Sequence, residues 1–254
     1  MGCRAAVPGA SDRRRQGRPG GQRQGGVDVR ATILTTAMVG LLWACPGLAH
    51  DLWLERDGDG YVLYQGHRHS GHHGHHSHHG PDLVTYGAGF VTGARCAGTD
   101  GEVTEVAVGA GYPARFRGPC AVLLVETSSG VWTKTVRGTR NQLPGGLKGV
   151  VGSWRSLEGV KRLDAWGEAL AEPLGTGLEI TPIHDPFPLE VGDRLRLRVT
   201  RDGRPRAGVP VVYHGAVRGV TGEDGRIDLR VRHRALQTVT ASEDVPAPEA
   251  PYDK

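Results

Sequence analysis

The chain has 254 residues, with 31 Lys and Arg against 27 Asp and Glu, 40 Gly, and 6% aromatic residues. This length allows one large or two small domains, and the glycine content favours many turns between short strands over a long helical bundle. The basic excess lies in residues 1–49, whose seven Arg and two Asp leave 24 basic and 25 acidic side chains in the rest. Without a basic face or an aromatic-rich binding motif, nucleic-acid binding is excluded as a function.

Residues 1–49 are predicted to be a signal peptide for export. An apolar stretch over residues 31–49 follows Arg30 and ends in small residues at Gly47 and Ala49. Its apolar core is shorter than the ~20 residues that a membrane-spanning helix needs. Cleavage after Ala49 would make His50 the first residue of a periplasmic protein. A translation start near Val27 and lipidation at Cys45 stay open as alternatives.

Cys96 and Cys120 are the cysteines that remain once residues 1–49 are removed. In an oxidising compartment, two such cysteines predict a single disulfide. A thiolate metal pair is the alternative, and the lack of C-x-x-C spacing disfavours it.

The remaining sequence predicts a mainly β protein with two β-sandwich domains, Ig-like or transthyretin-like. Residues 52–56 and 61–66 flank the turn-forming residues 57–60 and predict an opening hairpin. The N-terminal β-rich metal-binding domain is predicted over residues 50–182. Its further strands are expected at residues 83–90, 103–108, 114–116, 121–126 and 131–136.

One amphipathic helix is predicted over residues 153–170, near the domain junction and capped by Ser153. Its apolar residues recur every three or four positions: Trp154, Leu157, Val160, Leu163, Trp166 and Leu170. After it, alternating strands at 195–199, 209–213, 227–231 and 236–240 predict a C-terminal Ig-like β-sandwich over residues 183–243. Residues 244–254 are predicted to be a flexible tail.

The most informative stretch is the His-rich loop over residues 66–80. Neutral imidazole is a ligand that suits Ni, Co, Cu and Zn, and a Gly/Ser-rich loop can bring several imidazoles together. A solvated spacer and a pH-responsive segment stay open as alternatives. The candidate ligands of this stretch are His67, His69, His72, His73, His75, His76, His78 and His79.

His50 is a further candidate metal ligand. Cleavage after Ala49 would give this residue both a free α-amine and an imidazole, which can chelate one ion. In an antiparallel hairpin, the start of the first strand lies near the end of the second, which would bring His50 close to His67. The alternative is that His50 is simply the residue at which the signal peptide ends.

Other sites are not assigned from the sequence. His184, His214 and His233 stand isolated in the C-terminal half and are interpreted as ordinary surface or packing residues. Hydrolase, metalloprotease, phosphate-loop and dinucleotide-binding motifs are missing from the sequence, so the protein is not expected to be an enzyme.

The segments AHDLWLERDGDGYVLYQGH, SWRSLEGVKRLDAW and TGEDGRIDL resemble exported accessory proteins of bacterial nickel/cobalt uptake systems, a largely uncharacterised family. The resemblance implies a β-rich periplasmic protein that captures Ni(II) or Co(II) in company with an energy-coupling-factor type membrane transporter. The positions that match the family are His50 and His67.

The leading expectation is therefore a non-enzymatic periplasmic protein that binds Ni(II) or Co(II) and supplies a membrane importer. An envelope buffer or chaperone for Cu(II) or Zn(II), working through the His-rich loop, is the alternative. An oxidative copper enzyme built on an N-terminal His is a third and less favoured interpretation, because it depends on a one-residue analogy.

Overall fold

In the computed structural model, the described residues are 51–67, 82–109 and 111–246, and strands form nearly all of their regular structure. The predicted signal peptide, His50, the histidines of residues 69–79 and residues 247–254 of the predicted tail lie outside the described residues. In chain order the strands are β1 (Asp51–Asp57), β2 (Gly60–His67), β3 (Asp82–Leu83), β4 (Val91–Ala97), β5 (Val103–Glu105), β6 (Arg115–Phe116), β7 (Val122–Thr135), β8 (Gly138–Arg140), β9 (Val150–Leu163), β10 (Glu179–Pro182), β11 (Arg194–Arg201), β12 (Arg204–Pro205), β13 (Pro210–Tyr213), β14 (Ala216–Val220), β15 (Arg226–Arg230) and β16 (Val239–Ala241).

Two antiparallel sheets form the N-terminal β-sandwich. In the first sheet β2 is central, with β1 on one edge and β3 and β6 on the other. In the second sheet β7 is central and pairs with β4, β8 and β9, while β5 pairs with β4. Leu54 and Leu63 from the first sheet share one buried core with Ala94, Leu123 and Val125 from the second. The apolar faces of the two sheets therefore pack on each other.

A second pair of antiparallel sheets forms the C-terminal β-sandwich. Strand β11 pairs with β10, β12 and β15, and β13 pairs with β14 and β16. Leu195, Leu197 and Val199 alternate along β11 with exposed or half-buried arginines, and they pack against Val211 and Tyr213 of β13. The predicted mainly β, sandwich-type fold is confirmed.

Strand pairing places β10 with the C-terminal sheets, although its residues precede the predicted domain boundary at 182–183. That boundary stays a prediction. Every described residue lies within one compact unit, Leu48–Lys254. In the described part of the chain, no helix is long and apolar enough to cross a membrane.

The opening hairpin is confirmed. Strands β1 and β2 pair from Asp51 with Gly66 to Asp57 with Gly60, around a two-residue turn. Gly58 in that turn has a positive φ of 62°, which a residue without Cβ adopts at no steric cost.

The predicted helix over residues 153–170 is wrong. Residues 150–163 form β9, which pairs with β7 along its whole length, and only Glu168–Ala171 form a short 3₁₀ turn. Trp154 and Leu157 are exposed, so their helical spacing does not mark one buried face. The long neighbouring strand supplies hydrogen bonds to this segment, and tertiary context overrides the local pattern.

Several predicted strand boundaries also differ from the structure, including the end of the strand expected at 103–108, which is at Glu105, and the start of the strand expected at 236–240, which is at Val239. The strands expected at 121–126 and 131–136 are one strand, β7, whose register shifts between Ser128 and Gly130. Of the strand expected at 83–90, only Leu83 lies in a strand, and residues 87–90 form a turn in which the Phe90 N–H donates to the Gly87 carbonyl. Tyr86 stacks on Phe90 across this turn, with ring centroids 4.6 Å apart.

The predicted disulfide between Cys96 and Cys120 is present, with Cα atoms 5.4 Å apart. It joins Cys96 in β4 to Cys120, which lies two residues before the start of β7. Cys120 is buried in the core that the two N-terminal sheets share.

Candidate metal site

The strand register places the described residues that flank positions 68–81 beside the start of β1. Asp51 pairs with Gly66 on one side of β2, and Leu83 pairs with Gly66 on the other. His67 at the end of β2 pairs with Asp82 at the start of β3. His67 and Asp82, the described residues on either side of positions 68–81, are therefore neighbours near Asp51, the first described residue of the chain.

His67 and Asp82 lie on the same face of the first N-terminal sheet. Residues directly opposite each other in an antiparallel pair have Cβ atoms about 4.5–5.5 Å apart. Side chains alternate along β2, so this face is also the one that carries Gln65 and the core residue Leu63. An imidazole and a carboxylate are thus neighbours at the exposed end of this face.

The residues after Asp82 fasten the base of the His-rich segment to β2. The Val84 N–H donates to the Gln65 carbonyl at 2.8 Å, and the Tyr86 hydroxyl donates to the Leu63 carbonyl at 2.7 Å. The same hydroxyl accepts from the Ala114 N–H at 2.9 Å. Burial raises the pKa of Tyr86 above its usual range, which keeps the hydroxyl protonated as a donor.

Gly66 permits the close approach of β3 to β2. A Cβ atom at this position would lie 2.0 Å from the Asp82 carbonyl oxygen, and Gly66 has a φ of +152°. Both the space and the backbone conformation therefore require glycine. This residue determines how near Asp82 comes to the strand that carries His67.

We expect Gly66→Ala to lower the free energy of unfolding by about 1–3 kcal/mol, because the new methyl group must displace the Asp82 backbone or strain its own. Urea unfolding measures the loss, and amide exchange at Val84 measures the opening of the β3 pairing. Gly87→Ala is the matched control, since a Cβ at Gly87 meets no atom within 4 Å. Equal stability of the two variants would contradict this role of Gly66.

The described residues do not by themselves complete a metal site. Within residues 51–67, 82–109 and 111–246, no group of three or more His, Cys, Asp or Glu side chains is placed to hold an ion. His67 can offer an imidazole nitrogen to a metal ion, and Asp82 can offer a carboxylate oxygen. Further ligands among the predicted set, His50 and the histidines from His69 to His79, lie outside the described residues.

His184 has a local structural role. Its Nδ1 lies 3.1 Å from the Asp185 carbonyl oxygen, and its Nε2 lies 3.0 Å from the Arg196 backbone nitrogen. Because the Arg196 N–H donates to Nε2, the ring is the neutral tautomer that carries its proton on Nδ1. Both nitrogens are used, and the interpretation of His184 as a packing residue fits these contacts.

His214 and His233 are neighbours, although they are 19 positions apart in the sequence. Their ring centroids lie 4.4 Å apart with an angle of 73° between the planes, which is an edge-to-face contact. His214 lies in the tight turn between β13 and β14 with a positive φ of 51°, and its Nε2 is 3.2 Å from Gln237 Oε1. The edge-to-face geometry identifies an aromatic contact, and the sequence offered no sign of it.

Asp82 is the candidate residue that sequence reasoning missed. It is the first acidic residue after the His-rich stretch, and a loop whose two ends pair would have indicated its position opposite His67. The sequence alone did not indicate that pairing, because β3 is only two residues long and was expected as part of a longer strand.

A family model described as a domain of unknown function (DUF4198) matches residues 101–242. Searches of curated proteins and of solved structures return no significant match. The matched residues include β7, β9 and all strands of the C-terminal sandwich, whereas His67 and Asp82 precede them. Since the match covers more than half of the sequence, the chain belongs to the family of proteins with the domain of unknown function DUF4198.

Proposed function

We propose that the protein is a periplasmic nickel/cobalt-binding protein that captures the ion and supplies it to a membrane importer. The observation that carries the proposal is the strand register. It brings the start of β1, His67 and Asp82, the described residues that flank positions 68–81, to one end of one sheet. A chain with candidate ligands at all three positions can gather them around one ion.

The proposed primary ligands are the α-amine and imidazole of His50 together with the imidazole of His67. One further residue of the β1–β2 ladder beyond Asp51 and Gly66 would place His50 opposite His67. Asp82, across from His67, can accept a hydrogen bond from a ligating imidazole or donate an oxygen to the ion. Nitrogen donors of this kind suit Ni(II) and Co(II) as cargo, and Cu(II) and Zn(II) are the competitors.

Metal capture at this site would release protons. The reference pKa values are about 7.7–8.0 for an α-amine and about 6.5 for imidazole, so a fraction of each group is protonated near neutral pH. An ion must displace these protons, and binding would weaken as the medium becomes acidic. The other histidines of residues 69–79 would collect ions and pass them to the primary site.

Export and transport are proposed on separate grounds. Residues 1–49 have the charge and apolar pattern of a cleaved signal peptide, and the disulfide fits an oxidising compartment. The proposed partner is a membrane metal transporter of the energy-coupling-factor type. That partner rests on the resemblance of residues 49–67, 153–166 and 221–229 to accessory proteins of nickel/cobalt uptake.

A second candidate function is an envelope buffer or chaperone for copper or zinc. The observation that favours it is the number of histidines between His67 and His79, which can bind several ions without help from His50. The two functions differ in which part of the chain holds the tightest ion.

The test is a competitive titration of Ni(II), Co(II), Cu(II) and Zn(II) into residues 50–254, beside a version with one Gly added before His50. We expect the added residue to weaken the first equivalent of Ni(II) or Co(II) at least tenfold, about 1.4 kcal/mol, because His50 then no longer has a free α-amine to chelate the ion together with its imidazole. A third version without residues 69–79 should keep that first equivalent and lose the weaker ones.

Two outcomes would contradict the proposal. If the added Gly leaves all equivalents unchanged, the terminal amine is not a ligand. If the version without residues 69–79 loses every equivalent, the His-rich segment alone binds metal, and the buffer function is then the better account.

A further inference from the structure

The second N-terminal sheet extends into a long arm of two paired strands. Beyond Thr127, strand β7 no longer pairs with β4, and it continues against β9 and the short strand β8. We call residues 128–157 the distal arm. Hydrogen bonds within the arm hold its segments together. The Thr133 hydroxyl donates to the Gln142 carbonyl, and the Val136 N–H donates to the Gly149 carbonyl.

The distal arm carries only positive charge. Its 30 residues contain five basic side chains and no Asp or Glu, whereas the rest of residues 50–254 has an acidic excess. All five basic residues are exposed, and none of them forms an ion pair with another described residue. They are Lys134, Arg137, Arg140, Lys148 and Arg155.

The same arm presents an unusual amount of apolar surface. Val136, Val151 and Leu157 have exposed fractions of 76%, 63% and 66%. Leu143, Val150 and Trp154 are also exposed, so six of the fifteen large apolar side chains exposed in the described part of the chain belong to these 30 residues. Trp154 lies opposite Trp132 on neighbouring strands, which places two indole-bearing residues on one face.

We propose that the distal arm binds the surface of a membrane that contains anionic lipids. Unpaired Lys and Arg side chains are attracted by the lipid phosphates, and apolar side chains and a Trp among them insert at the level of the headgroups. Long basic side chains lay their methylenes along the apolar region while their charged ends reach the phosphates. A protein surface usually carries charges of both signs, and the distal arm has no acidic side chain that could meet a partner's cations.

This surface is separate from the candidate metal site, because its residues lie on the distal part of β7 and β9 and the metal site lies at the end of the β1–β2 hairpin. The proposal therefore does not depend on metal binding. Attachment to the lipid surface would keep the protein near its proposed importer.

The test is sedimentation of residues 50–254 with phosphatidylglycerol/phosphatidylcholine vesicles and with phosphatidylcholine vesicles at pH 8, where histidines carry little charge. We expect binding to the anionic vesicles that weakens as NaCl is added. Changing Arg137, Arg140 and Lys148 to Glu should weaken the binding at least tenfold. The matched control changes Arg204, Arg232 and Arg234 to Glu, since these residues are exposed and form no ion pair with described residues, and it should change the binding less than threefold.

A second pair of variants tests the apolar contribution. Val136→Ser, Val151→Ser and Leu157→Ser together should weaken vesicle binding severalfold. Val217→Ser, Val220→Ser and Leu236→Ser alter exposed residues elsewhere, with exposed fractions of 63%, 58% and 52%, and should not weaken the binding. Circular dichroism confirms that each variant is folded.

Three outcomes would overturn the proposal. The first is no binding to anionic vesicles by the unaltered chain. The second is an equal loss in the arm variant and its charge-matched control, which would indicate general electrostatic attraction. The third is binding to native membrane vesicles that protease digestion of those vesicles abolishes, with none to pure lipid, which would assign the arm to a protein partner.

Discussion

Lys161→Met is expected to lower the free energy of unfolding by about 3–5 kcal/mol, because it leaves the buried carboxylate of Glu179 without its cation. Lys161 Nζ lies 2.6 Å from Glu179 Oε1 and 3.0 Å from Thr181 Oγ1, and the two charged side chains are 10% and 3% exposed. Burial lowers the pKa of Lys161, and the nearby carboxylate opposes that shift. The pair joins β9 of the N-terminal sandwich to β10 of the C-terminal sheets.

Glu179 also binds the backbone of the segment that precedes β10. Its carboxylate accepts the N–H groups of Leu174 and Gly175, at 3.0 and 2.7 Å, and so fixes the segment that leads into β10. When Lys161 is lost, these two N–H groups cannot neutralise the charge, although they still stabilise it. We therefore expect the junction between the two sandwiches to open locally more often in the variant.

Urea unfolding followed by tryptophan fluorescence measures the effect. Lys148→Met is the matched control, because Lys148 is an exposed lysine that forms no ion pair with a described residue, and it should cost less than about 0.5 kcal/mol. Adding Glu179→Gln to Lys161→Met removes the buried charge and keeps an acceptor, so the double variant should regain part of the loss. If Lys161→Met is no less stable than Lys148→Met, the pair contributes nothing.

The opening hairpin could be predicted from sequence because its determinants are local. Alternating apolar residues on both sides of a turn that contains Gly58 fix both the pairing and the register. The prediction that the start of β1 lies beside the end of β2 follows from the same local pattern. The alternating arginines and apolar residues of β11 gave an equally reliable prediction, since one face of that strand is exposed.

The segment over residues 150–163 could not be predicted, because its structure depends on a distant partner. Trp154, Leu157 and Val160 have helical spacing, yet the residues of β7 that pair with them lie more than twenty positions earlier in the chain. Strand β7 also continues through residues 128–130, which lie between the two separate strands expected from the sequence. Gly130 takes a φ of +83° and absorbs the irregularity as a bulge. Two errors thus have one cause, the unforeseen length of β7.

The residues of the candidate site also differ in whether local sequence could predict them. His67 was predicted from residue type and hairpin geometry, whereas Asp82 and Gly66 required knowledge of the short strand β3. A two-residue strand has no alternating pattern to detect, and its pairing depends on the close approach that Gly66 allows. Residue chemistry therefore led to the metal-binding proposal, and tertiary pairing identified the neighbours of His67.

Removal of the Cys96–Cys120 disulfide is expected to lower the free energy of unfolding by about 3–4 kcal/mol. The bond closes a loop across 24 positions, and in the chain-entropy model that value follows from the unfolded states the cross-link excludes. The effect should extend to the β1–β2 hairpin. The Tyr61 hydroxyl donates to Asp164 Oδ2 at 3.0 Å and accepts the Cys120 N–H at 3.3 Å, so Cys120 holds the strand that carries His67.

The experiment compares the unaltered chain with a variant carrying Cys96→Ser and Cys120→Ser, each in urea with and without dithiothreitol. Dithiothreitol should destabilise the unaltered chain about as much as the double substitution does, and it should leave the variant unchanged. Amide exchange at Tyr61 and Leu63 should increase in the variant more than at Leu197 and Val199, which lie in the C-terminal core. A loss of less than about 1 kcal/mol would mean that packing around Cys120 alone holds the hairpin in place, and uniform exchange in both cores would mean that the bond stabilises the whole unit without favouring the strand of His67.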